Sequence, residues 1–586
     1  MHLINGNRRP EGGADPGGSG LATTATTAGA ATTPGPAEAG TPASAGGSLR
    51  LGGRLPWLLW AGGLLLVGIA LFSLYVRQSL VAPFNSDGAS TILQAQAMLH
   101  GNPLLKGWWT ADVSFYTTEL PEYMLVELFR GVRPDVVHIA GALGYTLAVL
   151  LAALLARGSA KGRAGIIRAL LAVGIMLAPS IVGGTEVFLE NPDHAGTAVP
   201  ILALLLFLDR APERWWVPVG VCAALAWIQV ADLLTLAAAT APIAAVALVR
   251  MMLLAVRRRP LPEYRYDAML LVAAGLSTQL AKVAQHMLRR LGGFDLRPLP
   301  HQLLAPLSDV PANTRTMGQT LLLLFGANTP PRSHQELELI ARFHLIGLVL
   351  ALLGFAVAVL TFFTHRSDRV TQIVVAATVA TLVAGIFGTE LPSLAHAHEV
   401  AILLPFGAVL AGRMLLPLMS DLLPERWHAG RVGVPLLAAW LAAGLAALCF
   451  AATWTPLGPP NQQLADWLSG HGYTEGLATY WQANATTVVS DGKVLVAPIT
   501  PSATSVRRWE SSITWYDPSR HRANFVIAMS NPDSGLGGLS TATVRKSFGR
   551  PAHQYQVEGY VVMVYDYNLL TRLKGRIFPG VEPPSR

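Results

Sequence analysis

VVHIAGALGYTLAVLLAALLA, residues 136–156, runs without one Asp, Glu, Lys or Arg and is closed by Arg157. A helix rises ~1.5 Å per residue, so ~20 apolar residues cross the hydrocarbon core of a bilayer. The same kind of run recurs along the chain at 55–76, 166–185, 195–208, 215–230, 233–256, 268–288, 343–363, 370–387, 400–416 and 434–452. With 136–156 that predicts about eleven transmembrane helices by the same length criterion, two of them (195–208 and 215–230) short. Composition agrees: 52% of the 586 residues are hydrophobic and 13% are charged, against roughly 25% charged in soluble domains. Too little polar surface exists to cover globules in water, and lipid is the natural solvent.

The two cysteines, Cys222 and Cys449, sit inside apolar runs. They form no disulfide framework and no zinc spacing. The net charge of +8 falls between apolar runs rather than in one patch. That is a topology signal, and it excludes a phosphate-backbone footprint and hence a nucleic-acid partner. Residues 1–51 are rich in Gly, Ala, Thr and Pro and bury too little to fold, predicting a disordered cytoplasmic tail. Alternate loops are then basic, as cytoplasmic loops should be: Arg157, Lys161, Arg163 and Arg168; Arg210 and Arg214; Arg250, Arg257, Arg258, Arg259 and Arg265; Arg366 and Arg369; Arg413, Arg426 and Arg431. The transmembrane part, 52–453, carries two large outer loops, 77–135 and 289–342. An odd number of spans leaves 454–586 outside, long enough for one small α/β domain. Its amphipathic stretch near 464–468 predicts a helix, and 487–496, 524–528 and 559–565 predict strands. The Ala-, Gly- and Arg-rich composition points to a bacterial plasma membrane.

Four groups of polar residues fall on the outer side. In the first loop, Asn85-Ser86-Asp87-Gly88-Ala89 leads into a helix ending at His100-Gly101, and Phe115 to Tyr123, including Glu119, returns to the membrane. A carboxylate just outside the bilayer is well placed to take a proton from an incoming hydroxyl; alternatively Asp87 caps the helix. At the turn between the third and fourth spans stand Glu186, Glu190, Asn191, Asp193 and His194. Glu186 and Glu190, one turn apart, would share a helix face, and such carboxylates bind a divalent metal (Mg or Mn), orient an acceptor, or mark a solvated turn. Gln279, Lys282, His286 and Arg289 form one stripe on the seventh span, suited to a phosphate or to snorkelling. Glu390, His396, His398 and Glu399 occupy a further outer turn. The sequence contains no P-loop, no GxGxxG after a strand and no HExxH. The inner loops are too short for a nucleotide-binding domain, so a donor used outside would be lipid-linked.

This arrangement resembles the GT-C superfamily of membrane glycosyltransferases, which includes protein O-mannosyltransferases, aminoarabinose transferases and oligosaccharyltransferases. Asp87 matches the acidic residue that the family carries soon after its first span, and Ala97-Met98-Leu99-His100-Gly101 looks like the helix that follows it. Glu190-Asn191-Pro192-Asp193-His194 looks like the family's second acidic site, and the outer C-terminal domain is similar to that of several members. Where many relatives have two adjacent acidic residues, Ser86 precedes Asp87 here. The resemblance implies an inverting transferase taking a sugar from a polyprenyl-phosphate donor to a glycan, lipid or protein acceptor. Asp87 would be the base, Glu186, Glu190, Asp193 and His194 would position the acceptor or a metal, and Lys282, His286, Arg289 and Arg315 would hold the donor phosphate. Tyr480, Trp481, Trp509, Trp515 and Tyr516 would contact a glycan or form an aromatic core. A transporter or lipid flippase, with Asp232 either as its midplane carboxylate or equally in an outer turn, and a non-catalytic envelope-assembly protein are the alternatives.

Overall fold

The computed structural model describes residues 55–181, 183–190, 194–297, 304–329, 335–364, 367–389, 391, 393–422, 433–531 and 537–575; the expected tail, 1–51, lies outside them. The chain divides into two units, Met1–Trp60 and Ala61–Arg586, and the core, the sheet and the polar clusters all belong to the second. The helices are α1 (Leu55–Ser79), α2 (Ser86–Leu99), α3 (Leu120–Arg130), α4 (Asp135–Arg157), α5 (Gly162–Met176), α6 (Ala198–Arg210), α7 (Trp216–Ala231), α8 (Ala241–Val256) and α9 (Arg265–Arg290). They continue with α10 (Val310–Leu324), α11 (Gln335–Leu360), α12 (Arg369–Phe387), α13 (Leu403–Leu422), α14 (Gly433–Ala451), α15 (Gln462–Gly470), α16 (Tyr480–Val489) and α17 (Thr541–Phe548). The strands are β1 (Trp108–Trp109), β2 (Glu475–Ala478), β3 (Leu495–Pro498), β4 (Ser511–Ser512), β5 (Phe525–Met529), β6 (His553–Val557) and β7 (Tyr560–Val564).

Each apolar run of the sequence holds helix, but fewer of them are full-length spans than the eleven expected. Among the described residues seven helices are long and apolar enough to cross a membrane, or eight if the pair Leu394–Val400 and Leu403–Leu418, bent by 53°, is one span. α5 shows why the count falls. Its run stops at Met176 because Pro179 has no amide to donate. The carbonyls freed there are taken up from neighbouring elements: Tyr145 Oη donates to Met176 O (2.6 Å), Tyr75 Oη to Leu177 O (2.9 Å) and Gln78 Nε2 to Pro179 O (2.7 Å). Satisfying these groups internally is what a backbone break at membrane depth requires. The chain resumes as a single π-helical turn, Glu186–Glu190.

One apolar core, including Val149, Leu155, Leu202, Leu225, Phe406 and Leu410, unites the helical body. On the outside of the spanning helices Leu65, Leu66, Val272, Leu352, Val383 and Leu436 stand exposed, the side chains a bilayer would cover. α11 and α13 touch backbone to backbone at Gly354, where a Cβ would come within 2.6 Å of Ala411 N and Cα. Gly354→Ala should therefore lower the thermal midpoint of purified protein, by about 1–3 kcal/mol of overpacking. Gly275→Ala, whose Cβ meets nothing within 4 Å, should leave it unchanged or raise it; equal behaviour of the two would refute the close packing.

Arg413, counted by its charge as an inner-loop residue, is a core residue of α13, 4% exposed. It binds Leu155 O (2.8 Å), Asp209 Oδ1 (2.5 Å) and both oxygens of Asp368 (2.8 and 3.0 Å). Arg369 is likewise engaged, with Asp267 (3.0 Å) and Glu213 (2.5 Å).

The C-terminal segment builds a five-stranded sheet of order β3-β2-β5-β7-β6, with β2 parallel to β3 and β5 and the remaining pairs antiparallel. The strands expected at 524–528 and 559–565 are β5 and β7, but much of 487–496 is helix and turn. Its β-branched residues sit at the end of α16, where Thr486 and Thr487 donate to the carbonyls four residues back, 2.6 and 3.2 Å away. Burial of all of α16 except Trp481 between α2 and the sheet overrides β propensity. The first loop reaches this region directly: β1 pairs antiparallel with β4, Trp108 opposite Ser512 and Trp109 opposite Ser511.

Candidate active site

α2 begins where Asn85 accepts from the amides of Asp87 (3.0 Å) and Gly88 (3.1 Å). Asn85 is therefore the cap, and Asp87 occupies the first turn with its carboxyl directed elsewhere. Ser86 Oγ bonds Tyr480 O (2.8 Å) and accepts from Ala485 N (3.3 Å), fixing α2 against α16. That docking sets Tyr480 Oη 2.5 Å from Asp87 Oδ1 and in hydrogen-bond contact with Glu510 Oε2 as well. Burial and the two carboxyls hold the Tyr480 phenol well above its ordinary pKa, so it stays protonated. Glu510, one residue before β4, is 6% exposed and has a left-handed backbone, φ 43°. Such strain in a buried non-glycine residue concentrates at functional sites. Asn484 Nδ2 donates to Glu510 O (3.0 Å) and holds that conformation. Immediately upstream, the guanidiniums of Arg297 and Arg507 lie 4.9 and 5.9 Å from the Trp509 ring.

A second polar cluster forms where the first loop ends. His194, also left-handed (φ 56°), is buried, with Nδ1 2.7 Å from Asp232 Oδ2 and Nε2 3.3 Å from Glu399 Oε2. Its ring stacks on His398 at 5.9 Å and meets Phe115 edge-on at 5.5 Å. Burial opposes a charge on His194, but Asp232 and Glu399 outweigh it and raise the imidazole well above its usual pKa. Glu119 Oε1 accepts from Thr197 N (2.7 Å) and Oγ1 (3.2 Å), while burial pushes its carboxyl up to about 8. Gly196 makes room for it: a Cβ there would stand 2.5 Å from Glu119 Cγ. A cavity of about 60 Å³ opens beside the cluster, lined by His194, Asp232, His398 and Glu399 among mostly apolar neighbours.

Both groups have the same linkage sign. The folded Glu119 holds its proton to about 8 against 4.5 ordinarily, so its contribution to stability is complete below 4.5 and is lost as pH rises to 8. The raised His194 contributes fully below 6.5 and fades as pH rises through its folded value. Thermal midpoints should fall as pH rises across this range, and Glu119→Gln, which keeps the acceptor for Thr197, should flatten the fall. Identical pH profiles for wild type and variant would contradict the assignment.

Glu119, His194, His398 and Glu399, drawn from three separate segments, are thus brought together, joined by Asp232. Asp232 is the C-cap of α7, not a residue within a span. Glu190 is 2% exposed and Glu186 is exposed, so the two carboxyls that were expected to share a face stand in different surroundings. Asp193, with Asn191 and Pro192, lies outside the described residues. Lys282, His286 and Arg289 stand exposed on α9, away from the Ala274 and Ser277 side that is buried, and Arg315 is exposed on α10. Among the described residues no group of three or more His, Cys, Asp or Glu is arranged to hold a metal ion. Trp515 packs edge-on against Trp108 and Tyr516 against Trp109, an aromatic core, whereas Trp481 is exposed. Glu510 and Arg297 escaped the sequence reading. The signal available was Arg507-Arg508-Trp509-Glu510, charge and indole together in an otherwise polar stretch.

No protein-family model and no curated protein matches the chain. Among solved structures, ArnT from Cupriavidus metallidurans bound to undecaprenyl phosphate matches with TM-score 0.50 and 12% identity, over 86% of this chain and 97% of that one. The apo state of the same protein matches with TM-score 0.50 and 12% identity, over 89% and 100%. At this identity the likeness is one of fold, and the fold is GT-C-like.

Proposed function

We propose that this GT-C-fold membrane protein transfers a sugar from a polyprenyl-phosphate donor to an acceptor hydroxyl on the outer face of the membrane. In this reading the N-terminus is cytoplasmic and the C-terminal sheet extracytoplasmic. The observation that carries it is Asp87: an acidic residue in the first turn of the first-loop helix, half-buried and held by Tyr480 from the C-terminal region. It supports a general base that takes the acceptor proton as the hydroxyl attacks the anomeric carbon from the side opposite the phosphate, inverting that centre. The bond from sugar to phosphate oxygen breaks, and the polyprenyl phosphate leaves with the electron pair.

Positive charge near that point supports departure of the phosphate. Arg297 and Arg507 lie 4.9 and 5.9 Å from the Trp509 ring, one residue before Glu510, and guanidiniums pair readily with a phosphate. Lys282, His286, Arg289 and Arg315, exposed on α9 and α10, would meet the lipid-linked phosphate as it approaches. Glu190, Asp193 and the His194 cluster would order the acceptor side. ArnT, which shares the fold, was solved with undecaprenyl phosphate bound, and that adds weight to a polyprenyl donor. The test is transfer or release of label from radiolabelled polyprenyl-phosphate sugars by protein in nanodiscs. Turnover with one donor supports the reading; a folded, monodisperse protein inert toward the whole series sinks it.

A further inference from the structure

We propose that the cleft flanked by the ends of α2 and α3 and the turn after α16 binds the headgroup of a zwitterionic phospholipid, its ammonium against Glu127 and its phosphate against Arg130 and Arg133. The cleft meets the last turn of α2, whereas Asp87 is in the first, and the inference goes beyond the transferase reading without resting on it. In α3, Leu120, Tyr123 and Val126, three residues apart, turn inward, and Glu127 follows them to 5% exposure. Its Oε2 is buried with no hydrogen-bond partner among the described residues, where buried carboxyls are ordinarily bonded. Burial also pushes the Glu127 carboxyl up to about 8, a cost that a cation beside it would offset. The residue lines an open cleft of about 650 Å³ together with His100, Arg130, Arg133 and Asp491. That is within the ~300–1,000 Å³ of small-molecule sites.

The charges around the cleft decide the ligand. Arg130 Nε stands 3.0 Å and Arg133 Nε 3.7 Å from oxygens of Asp135. Two guanidiniums against one carboxylate leave one positive charge over, while Asp491 is matched by Lys493 at 3.4 Å. The cleft thus offers a spare guanidinium, which suits a phosphate, and a partnerless carboxyl, which suits an ammonium. A ligand carrying both charges on one short headgroup complements it. The surroundings say what the headgroup is attached to. Leu125, Leu128 and Phe129 point away from the buried side of α3, Phe129 being 82% exposed. Four residues later α4 begins, a helix long and apolar enough to cross the membrane, so this face and the two arginines lie at the bilayer boundary. Leu128 and Val132 continue the apolar surface into the cleft. Acyl chains would cover that surface as their headgroup meets the charges; a glycan would leave it bare.

The experiment titrates full-length, delipidated protein in detergent with phosphatidylethanolamine, phosphatidylglycerol or phosphatidylcholine of identical chains, counting bound lipid by native mass spectrometry. Phosphatidylethanolamine should bind as one saturable molecule, roughly 10-fold more tightly than phosphatidylglycerol, which has the phosphate and no ammonium. It should also exceed phosphatidylcholine, whose quaternary nitrogen has no N–H to donate. E127Q should erase the preference while keeping phosphatidylglycerol binding, and R133Q should weaken all three lipids. Equal binding of the three lipids by wild type, or an undiminished preference in E127Q, overturns the proposal. Hydrogen exchange of the wild-type protein tests the same point without a variant. Amides of 120–134 slowed by phosphatidylethanolamine more than by phosphatidylglycerol support the site, and equal rates with both lipids refute it. Protection of the same segment by maltohexaose, with no lipid preference, would make the cleft a glycan groove and equally overturn the lipid assignment.

Discussion

Asp87→Asn is expected to abolish sugar transfer while leaving the protein folded. Loss of a positioned general base removes about 10²–10⁴ in rate, enough to take a slow membrane transferase below detection. The substitution is close to isosteric, and the helix start survives because Asn85, not Asp87, caps α2. An amide oxygen at 87 can still accept from Tyr480, so the docking of α2 on α16 through Ser86 should persist. Donor binding should therefore be retained while kcat collapses, the pattern of an interaction made in the transition state. Glu336→Gln, an exposed change at the start of α11, serves as the control. Turnover of D87N within a few-fold of wild type would end the general-base assignment.

Arg413→Met should be the most destabilising single change in the helical body. The guanidinium joins α4 through Leu155 O, α6 through Asp209 and the start of α12 through Asp368, with a further contact to Thr371 Oγ1 at 3.3 Å. Removing one partner from a buried ion pair costs about 3–5 kcal/mol because the other charge stays behind. Asp209 would be that charge, since its carboxyl is largely buried whereas Asp368 is open to water. Arg413→Lys should rescue little, because one ammonium cannot reproduce a planar fork reaching three elements. The measurement is the thermal midpoint in detergent; a midpoint near that of wild type in Arg413→Met would show the network to be dispensable.

The apolar runs at 136–156, 343–363 and 434–452 were legible because a membrane-spanning helix is written in one continuous stretch. The number of full spans was not, since α5 is cut short by Pro179 and its loose carbonyls are claimed by Tyr75, Tyr145 and Gln78 from α1 and α4. No local pattern announces partners so remote. Arg413 and Arg369 fitted a count of loop charges equally well whether topological or structural, because such a count ignores burial. At the candidate site, the acidic first turn of α2 and the charged turn around His194 stood out by residue type. The bond from Tyr480 to Asp87 spans 393 residues of sequence, and Glu510 has nothing local to mark it except its basic and aromatic neighbours. What the sequence holds here is the list of reactive groups, and what it withholds is their pairing.

The pairing of β1 with β4 also bears on how the protein is made. Domains form in the order in which they are synthesised, so α2 and Asp87 enter the membrane region long before the ribosome reaches Glu510. A nascent or prematurely terminated chain carries the acidic residue without Tyr480, Glu510 or the strand that fastens them to Trp108 and Trp109. On the proposed reading of Asp87, competence is thereby deferred until the C-terminal region has been made, and exchanging that region as a detachable module would break the contacts to Asp87 and to Trp108 and Trp109.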